Sequence, residues 1–252
     1  MSLHLLTDRR SMAAPQTPPI YTVIRIPASS PRLAQIVTKF RETKLAALKA
    51  EPNGFAVKYA DEALHPIAAW QQRLAAPSTI LICVATSDPT PASSDEDALI
   101  AGEWVGMSTI RGPLPYSVFH LPEFGQPVPD DPALETRWHL CNVYTSEAHR
   151  RQGLARRLVH ASVDAAREQT VALEGKDRMK ARIRLFMDPA KTYLVTMYTG
   201  MGFKEAGMCT LKEAFVANGD GELIPEDTDS TEEKRRLWER RYGLAMERIV
   251  DA

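Results

Sequence analysis

The chain has 252 residues, with 31 Lys and Arg against 32 Asp and Glu, and 44% of its residues are hydrophobic. This length fits one enlarged domain or two small ones, and the apolar content is enough to form a buried core. The nearly balanced charge argues against general nucleic-acid binding, which usually requires a strongly basic domain, and no apolar stretch approaches the ~20 residues of a membrane-spanning helix.

The N-terminal third of the chain predicts one strand followed by two helices. Residues 1–18 contain prolines and no packed pattern, so we expect a disordered tail there and a single domain over residues 19–252. Residues 21–25 have the composition of a strand. Residues 31–50 and 61–75 carry apolar side chains three and four positions apart, which predicts two amphipathic helices.

The middle of the chain predicts two buried strands and two insertions. The compact apolar run at residues 80–85 has the length of a strand, and residues 104–110 are its expected hairpin partner. Between them, residues 87–98 are rich in Ser, Pro and Asp, which is typical of an exposed loop. Residues 112–133 hold many prolines and several aromatic residues. Such a long irregular insertion is unusual in a compact domain and is often functional.

The next segment alternates strands and helices. Residues 138–144 predict a strand, and the apolar spacing after residue 150 predicts a helix. Residues 182–187 predict another strand, which ends at Asp188 because the following proline restricts the backbone of the residue before it. A helix through residues 192–198 follows.

The C-terminal segment completes the predicted sheet. Residues 204–211 predict a sixth strand, and the alternating residues 242–250 predict a seventh. Between them, the acidic residues 217–233 are expected to form a mobile loop, and residues 232–241 a short charged helix.

The cysteines and histidines bear on compartment and metal content. Cys83, Cys141 and Cys209 all fall in predicted strands, and an odd number of cysteines at such positions indicates reduced thiols. We therefore expect a cytoplasmic protein, with the nucleus as the alternative, since the N-terminus lacks the apolar region of a secretory signal. The six histidines and three cysteines show no zinc-binding spacing, so we expect no metal.

A phosphate cradle is predicted where six residues open a helix directly after a strand: Arg150, Arg151, Gln152, Gly153, Leu154 and Ala155. The first turn of a helix leaves backbone N–H groups without partners, and the aligned peptide dipoles place partial positive charge there. A diphosphate can accept several of those hydrogen bonds at once. Gly153 lets an anion approach the backbone closely because it has no Cβ.

The spacing Arg150-x-x-Gly153-x-Ala155 resembles the acetyl-CoA-binding motif of the GNAT superfamily of N-acetyltransferases. That motif is written Gln or Arg, two residues, Gly, one residue, Gly or Ala. Downstream, the helix that carries Tyr198, the Gly-Phe pair at 202–203 and the strand after it resemble a second signature of the same family. The two signatures occur in the expected order, with a strand between them.

The resemblance implies an α/β fold of the GNAT type, with a central mixed, mostly antiparallel twisted sheet of about seven strands flanked by helices. It also implies acetyl-CoA as cosubstrate and direct transfer of the acetyl group to a primary amine through a ternary complex. The amine belongs to a small molecule or to a peptide or protein, and the protein acts as a monomer or homodimer. The alternative is a catalytically weak or inactive protein of the same fold that binds acyl-CoA.

The resemblance also implies which residues contact the cofactor. The backbone N–H of Val143 matches the donor to the thioester oxygen, and the backbone of this strand would pair with the pantetheine arm as an added strand. Lys191 stands seven residues before Tyr198, where the family often has asparagine. The expected cofactor-binding residues are Val143, Tyr144, Thr145, Arg150, Arg151, Gln152, Gly153, Leu154, Ala155, Arg156, Lys191 and Tyr198.

Proton transfer is assigned by the same resemblance to His139 and Tyr198. His139 lies eleven residues before the phosphate cradle, where some family members that act on protein lysines carry a glutamate. Its imidazole titrates near neutral pH, which suits a general base. Glu135, Glu147 and a water chain are the alternatives for this role. Tyr198 matches the family tyrosine that lies beside the leaving thiol.

Overall fold

The computed structural model describes residues 18–87, 92–121, 125–173 and 179–252. Except for residue 18, the predicted N-terminal tail lies outside these residues. Across them the chain forms one seven-stranded sheet, in the order β1-β2-β3-β4-β5-β7-β6. The strands are β1 (Ile20–Arg25), β2 (Ser78–Thr86), β3 (Glu103–Arg111), β4 (Glu135–Thr145), β5 (Lys180–Met187), β6 (Lys204–Thr210) and β7 (Tyr242–Asp251).

The sheet is mixed, as predicted. β4 and β5 pair in parallel, and the five other neighbouring pairs are antiparallel. The helices are α1 (Leu33–Ala50), α2 (Tyr59–Ala63), α3 (Ile67–Gln72), α4 (Asp95–Ala101), α5 (Tyr116–Phe119), α6 (Leu154–Val171), α7 (Thr192–Thr199), α8 (Leu211–Ala217) and α9 (Glu232–Trp238). No helix in the described ranges is long and apolar enough to cross a membrane.

Hydrophobic clusters cover both faces of the sheet. Alternate residues of a strand point to opposite faces, so one set of side chains meets α6 and α7, and the other meets α1. Trp138 and Leu140 of β4 pack with Val159 and Val163 of α6. On the other face, the apolar side of α1 packs on β2 and β3, with Ile36 and Phe40 in the same core as Ile82.

The prediction of one continuous helix over residues 61–75 is wrong, because two short helices, α2 and α3, occupy this region. Pro66 is the N-cap of α3, with φ −67°. A proline has no N–H to donate and its ring clashes with the preceding turn, so one helix cannot run through it. Elsewhere the predicted strands and the helices at 31–50 and 192–198 are confirmed to within a few residues.

The insertions contain more regular structure than was predicted. The expected loop at 87–98 includes the start of α4, whose N-cap Ser94 accepts a hydrogen bond from the N–H of Asp97, so β2 and β3 are not joined as a simple hairpin. Residues 88–91 lie outside the described residues, as do residues 122–124 of the second insertion. The extent of the insertions and the single domain over 19–252 stay predictions.

Candidate functional site

A gap opens in the sheet where β4 and β5 diverge. The two strands pair from Glu135 and Lys180 to His139 and Arg184. Beyond that point β5 continues to pair with β7, and the second half of β4 pairs with β3. A cavity of about 210 Å³ lies in the gap, between residues 140–143 on one side and residues 185–188 on the other.

This β4–β5 cavity reaches both faces of the sheet. On the face covered by α6 and α7, its lining includes Lys191, Leu194 and Tyr198. On the opposite face, it is lined by residues 53–56, which follow α1, and by the first residues of α8 and β7. Two reactants can therefore approach the same point of β4 from opposite sides.

A β-bulge lies at the point where the cavity meets β4. Met107 pairs with Tyr144 and Thr109 pairs with Cys141, so Asn142 and Val143 together stand opposite a single residue of β3. Asn142 adopts a left-handed backbone, with φ 56°. A bulge leaves an extra residue outside the ladder and bends the strand. We refer to Asn142 and Val143 as the β4 bulge, and the predicted donor of Val143 belongs to it.

The phosphate cradle has the backbone that an anion site requires. Gly153 is the N-cap of α6 and has a left-handed backbone, with φ 74°, and no described atom lies within 4 Å of the place where its Cβ would be. The first turn of α6 contains no acidic residue and has no side-chain cap. Among the described residues, its N–H groups therefore have no side-chain cap, and the turn contains no competing carboxylate.

The arginines of this region have different environments. Arg150 forms an ion pair with Glu51 at the end of α1, and its Nε lies 3.4 Å from the carbonyl oxygen of Thr145. Arg156 extends towards α7, where its Nη2 would lie 3.2 Å from a Cβ added at Gly200. Arg157, one position on, donates to the carbonyl of Tyr21 at 2.7 Å and so binds β1. Arg156 thus faces the cavity side of the cradle, and Arg157 does not.

Tyr198 lines the cavity from α7. It is 6% exposed, and its ring meets Phe203 edge-on with 5.6 Å between centroids. Burial raises the pKa of its phenol to about 12. The hydroxyl therefore keeps its proton at neutral pH, as a proton donor must.

His139 lies on the other face of β4, before the cavity begins. Its ring packs on Phe186, 5.7 Å away, and its Nδ1 is buried without a hydrogen-bond partner among the described residues. Burial, together with the charges of Arg184 and Arg111, lowers the pKa of His139 to about 3. The imidazole is neutral at working pH but is a weak proton acceptor. Its catalytic role stays a prediction that this environment does not favour.

The two alternative carboxylates also have clear positions. Glu135 is buried at the start of β4, where its carboxylate accepts two hydrogen bonds from Arg182 at 2.7 and 2.8 Å. Glu147 is exposed in the 3-10 turn Glu147–His149. Neither residue lines the β4–β5 cavity.

Lys191 connects the two sides of the cavity mouth. It precedes α7, and its Nζ donates to the carbonyl of Asn53 at 3.0 Å. Both residues line the cavity, so the loop after α1 is held next to the start of α7.

Two features of the site were missed at the sequence level. The first is Lys44, whose Nζ donates to Oδ1 of Asn142 at 2.6 Å. Its position four residues after Phe40 and seven after Val37, in the apolar stripe of α1, was an available signal. The second is α8, whose capping box of Thr210 and Glu213 is readable as Thr-x-x-Glu.

No group of three or more His, Cys, Asp or Glu residues within the described ranges could hold a metal ion. Cys83 and Cys209 are buried free thiols, and Cys141 is half-buried at the cavity.

One segment of the chain matches a family of known proteins. Residues 77–188 match the family model described as Acetyltransferase (GNAT) family. This range begins one residue before β2 and ends one residue after β5. No curated protein matches the sequence significantly.

Among solved structures, the chain is similar to an acetyltransferase of the GNAT family from Streptococcus pneumoniae, with 12% identity, 91% of this chain and 99% of that chain covered, and a TM-score of 0.50. It also matches Arabidopsis thaliana NAA60 in complex with a bisubstrate analogue, with 10% identity, coverage of 91% and 99%, and a TM-score of 0.47. A third match is a ribosomal-protein-alanine N-acetyltransferase from Brucella melitensis, with 14% identity, coverage of 90% and 99%, and a TM-score of 0.45. At 12% identity, the similarity to the Streptococcus pneumoniae structure supports the fold of this chain alone.

Proposed function

We propose that this protein moves the acetyl group of acetyl-CoA directly to a primary amine through a ternary complex, since residues 77–188 match the model of the acetyltransferase (GNAT) family. The acceptor amine belongs to a small molecule or to a peptide or protein. The observation that supports direct transfer is the β4–β5 cavity, which reaches both faces of the sheet. The acyl donor occupies the face with α6 and α7, and the amine approaches from the face with residues 53–56 and α8.

The residues of this chain fit the cosubstrate. When bound, acetyl-CoA supplies a thioester whose carbonyl carbon is the electrophile and whose thiol is the leaving group. The N–H groups at Gly153, Leu154 and Ala155 bind its diphosphate, since the first turn of α6 has no side-chain cap and a helix N-terminus favours anions. Arg151, Gln152 and Arg156 complete this anion site.

The second half of β4 holds the pantetheine arm. Its outer edge is no longer paired with β5 beyond His139, so the backbone of residues 143–145 is available to an extended ligand. The N–H of Val143 donates to the thioester oxygen as charge develops there. A donor of this kind is worth roughly 2.7–4 kcal/mol in transition-state stabilisation.

Tyr198 donates a proton to the departing thiolate. A phenol whose pKa is raised to about 12 by burial remains protonated throughout the physiological range. Because this phenol is a weaker acid than a thiol of pKa about 8.5, transfer of its proton to the thiolate is uphill. From its place in the cavity lining, Tyr198 donates a hydrogen bond to the departing sulfur, passes its proton on and regains one from water.

A water chain takes the proton from the attacking amine. His139 has the wrong proton affinity for this task, Glu135 is committed to Arg182, and Glu147 is exposed and absent from the cavity lining. The acceptor side of the cavity is lined by residues 53–56 and the start of α8, where water can approach the amine. Substitution of His139, described in the Discussion, tests whether this imidazole takes part in the proton transfer.

The proposed function is tested by measuring free thiol release from acetyl-CoA against a panel of primary amines, with coenzyme A binding measured in parallel by calorimetry. We expect amine-dependent thiol release, and initial-rate lines that intersect when both substrates are varied. Parallel lines would indicate a covalent acyl-enzyme and contradict direct transfer. If coenzyme A binds and no amine is acetylated, the protein is the inactive acyl-CoA-binding alternative instead.

A further inference from the structure

Lys44 is a buried lysine in the middle of α1. It is 4% exposed and lies among apolar neighbours such as Phe40 and Leu48. Its Nζ donates to Oδ1 of Asn142 at 2.6 Å and lies 3.9 Å from the ring centroid of Phe55. Asn142 and Phe55 both line the β4–β5 cavity, so one ammonium group supports two elements of its wall.

This ammonium has no carboxylate within ion-pair distance among the residues that the structure describes. Glu62, a carboxylate that raises its pKa, is paired with Arg73. Burial is the main reason that the pKa of Lys44 is lowered to about 8, with Cys141 and Glu62 opposing the shift and Arg73 adding to it. A buried charge compensated only by an amide oxygen and an aromatic ring costs stability. A residue that costs stability in a cavity wall is a candidate for a functional role.

Asn142 transmits this contact to the β4 bulge. Its side chain is held at both ends, because Oδ1 accepts from Lys44 and Nδ2 lies 3.3 Å from Oγ1 of Thr109. Its backbone has φ 56°, a conformation that asparagine adopts more readily than most residues. The contacts of the Asn142 side chain with α1 and β3 therefore favour the left-handed backbone of this residue. That backbone in turn sets the direction of the next N–H group, which belongs to Val143.

We propose that Lys44 is a positioning residue for acetyl transfer, which holds Asn142 and thereby keeps the β4 bulge in the conformation that directs the N–H of Val143 into the cavity. The inference rests on the proposed function, since that function gives the bulge its role. Lys44 itself lies behind the wall formed by Asn142 and Phe55 and does not touch the reacting atoms.

The test compares Lys44→Met with Lys49→Met. Lys49 lies on the same helix and also contacts an aromatic ring, with its Nζ 4.5 Å from the ring centroid of Tyr59. Unlike Lys44, it is exposed. In Lys44→Met we expect kcat to fall on the order of 10²-fold, the effect of misplacing a catalytic group by about 1 Å. The Kd of coenzyme A should change much less than kcat, because the phosphate cradle is unchanged and only the pantetheine contacts of β4 are loosened. Lys49→Met should retain wild-type values.

A readout independent of turnover is amide hydrogen exchange in the protein without cosubstrate. We expect residues 141–145 to exchange at least ~10-fold faster in Lys44→Met than in the wild type, because local opening becomes easier, and at the wild-type rate in Lys49→Met. If exchange of this segment is unchanged in Lys44→Met, the proposal is overturned whatever the activity.

Asn142→Gly provides a second route to the same contact. Glycine accepts φ 56° without strain, so this variant removes the acceptor for Lys44 while permitting the bulge. We expect faster exchange of the same segment. In the double variant with Lys44→Met, kcat and exchange should be no more affected than in the more affected single variant, as for two residues that act together. Additive effects would overturn the proposal. If the wild-type protein lacks all turnover but the variants still show these exchange effects, the proposed function is contradicted and the Lys44–Asn142 contact is established.

Discussion

Arg182 and Glu247 form a buried ion pair across β5 and β7, with 2.8 Å between Nη1 and Oε2 and both side chains less than 10% exposed. The same guanidinium also holds Glu135 of β4 at 2.7 Å. One cation on β5 thus pairs with a carboxylate on each of the two flanking strands, just before the point where β4 and β5 diverge.

Substitution of Arg182 by Met is expected to destabilise the protein by about 3–5 kcal/mol, because two buried carboxylates lose their partner. Burial already raises the pKa of Glu247 even beside Arg182. In the variant the carboxylates would be more stable protonated, so its deficit relative to the wild type should shrink as pH falls. Chemical unfolding at neutral and mildly acidic pH measures both effects.

Arg240→Met is the matched control for Arg182. Its Nη1 lies 2.9 Å from Oε1 of Glu232, almost the same distance, but both side chains are 60% exposed. An exposed pair contributes at most about 1 kcal/mol. Equal losses in the two variants would show that burial is not what makes the Arg182 contacts strong.

Gly153→Ala is expected to weaken coenzyme A binding at least ~10-fold, since a Cβ would stand where the anion approaches the backbone. It should also cost about 1–2 kcal/mol of stability, because a non-glycine residue resists a left-handed backbone. Gly125→Ala shares the strain, with φ 78° and no described atom near its added Cβ, but lies outside the phosphate cradle. Gly125→Ala should lose stability without losing affinity for coenzyme A. An equal loss of affinity in this variant would contradict the phosphate cradle.

Tyr198→Phe is expected to lower kcat by on the order of 10²-fold with little change in the Kd of coenzyme A, since a general acid contributes at least that much. Because its pKa is raised to about 12, the phenol stays protonated until pH approaches that value, and Tyr198 should add no alkaline limb to the rate profile below it. Tyr193→Phe, on the same helix but 68% exposed, is the control. Full activity in Tyr198→Phe would remove the tyrosine from the mechanism.

His139→Gln is expected to keep kcat within roughly 3-fold of the wild type if a water chain accepts the proton, whereas loss of a general base would cost about 10²–10⁴-fold. His160→Gln, at an exposed position of α6, controls for the substitution. The pKa of His139 is lowered to about 3, so the unfolded chain binds a proton here that the folded chain does not. The wild type should therefore lose stability as pH falls from about 6.5 towards 3, and His139→Gln should lose less.

The stability of wild type relative to Lys44→Met is expected to rise with pH. The pKa of Lys44 is lowered from 10.5 to about 8 in the folded protein, so between these values the unfolded state binds more protons. Between about pH 7 and about pH 10 the difference in the free energy of unfolding should shift by roughly 2–3 kcal/mol in favour of the wild type. Urea titrations of both proteins measure this shift, and a difference that is independent of pH would show that Lys44 titrates normally.

Much of the fold was predictable because its signals are local. The strand and helix periods, the proline after Asp188 and the sequence of the phosphate cradle all depend on residues within a few positions of each other. The left-handed Gly153 at the start of α6 and the seven strands of the sheet follow from such patterns. The missed α8 had a local signal too, the capping box at Thr210.

The tertiary structure alone decided the environment of the site. Lys44 and Asn142 are 98 positions apart in the chain, and no local pattern indicates that a lysine of α1 supports the β4 bulge. The burial of His139, which lowers its pKa, depends on which face of the sheet it occupies, and a shift of register by one residue would reverse that face. The sequence by itself therefore determined the elements and the cofactor motif, whereas the charge and proton affinity of each side chain depend on neighbours brought together only by folding.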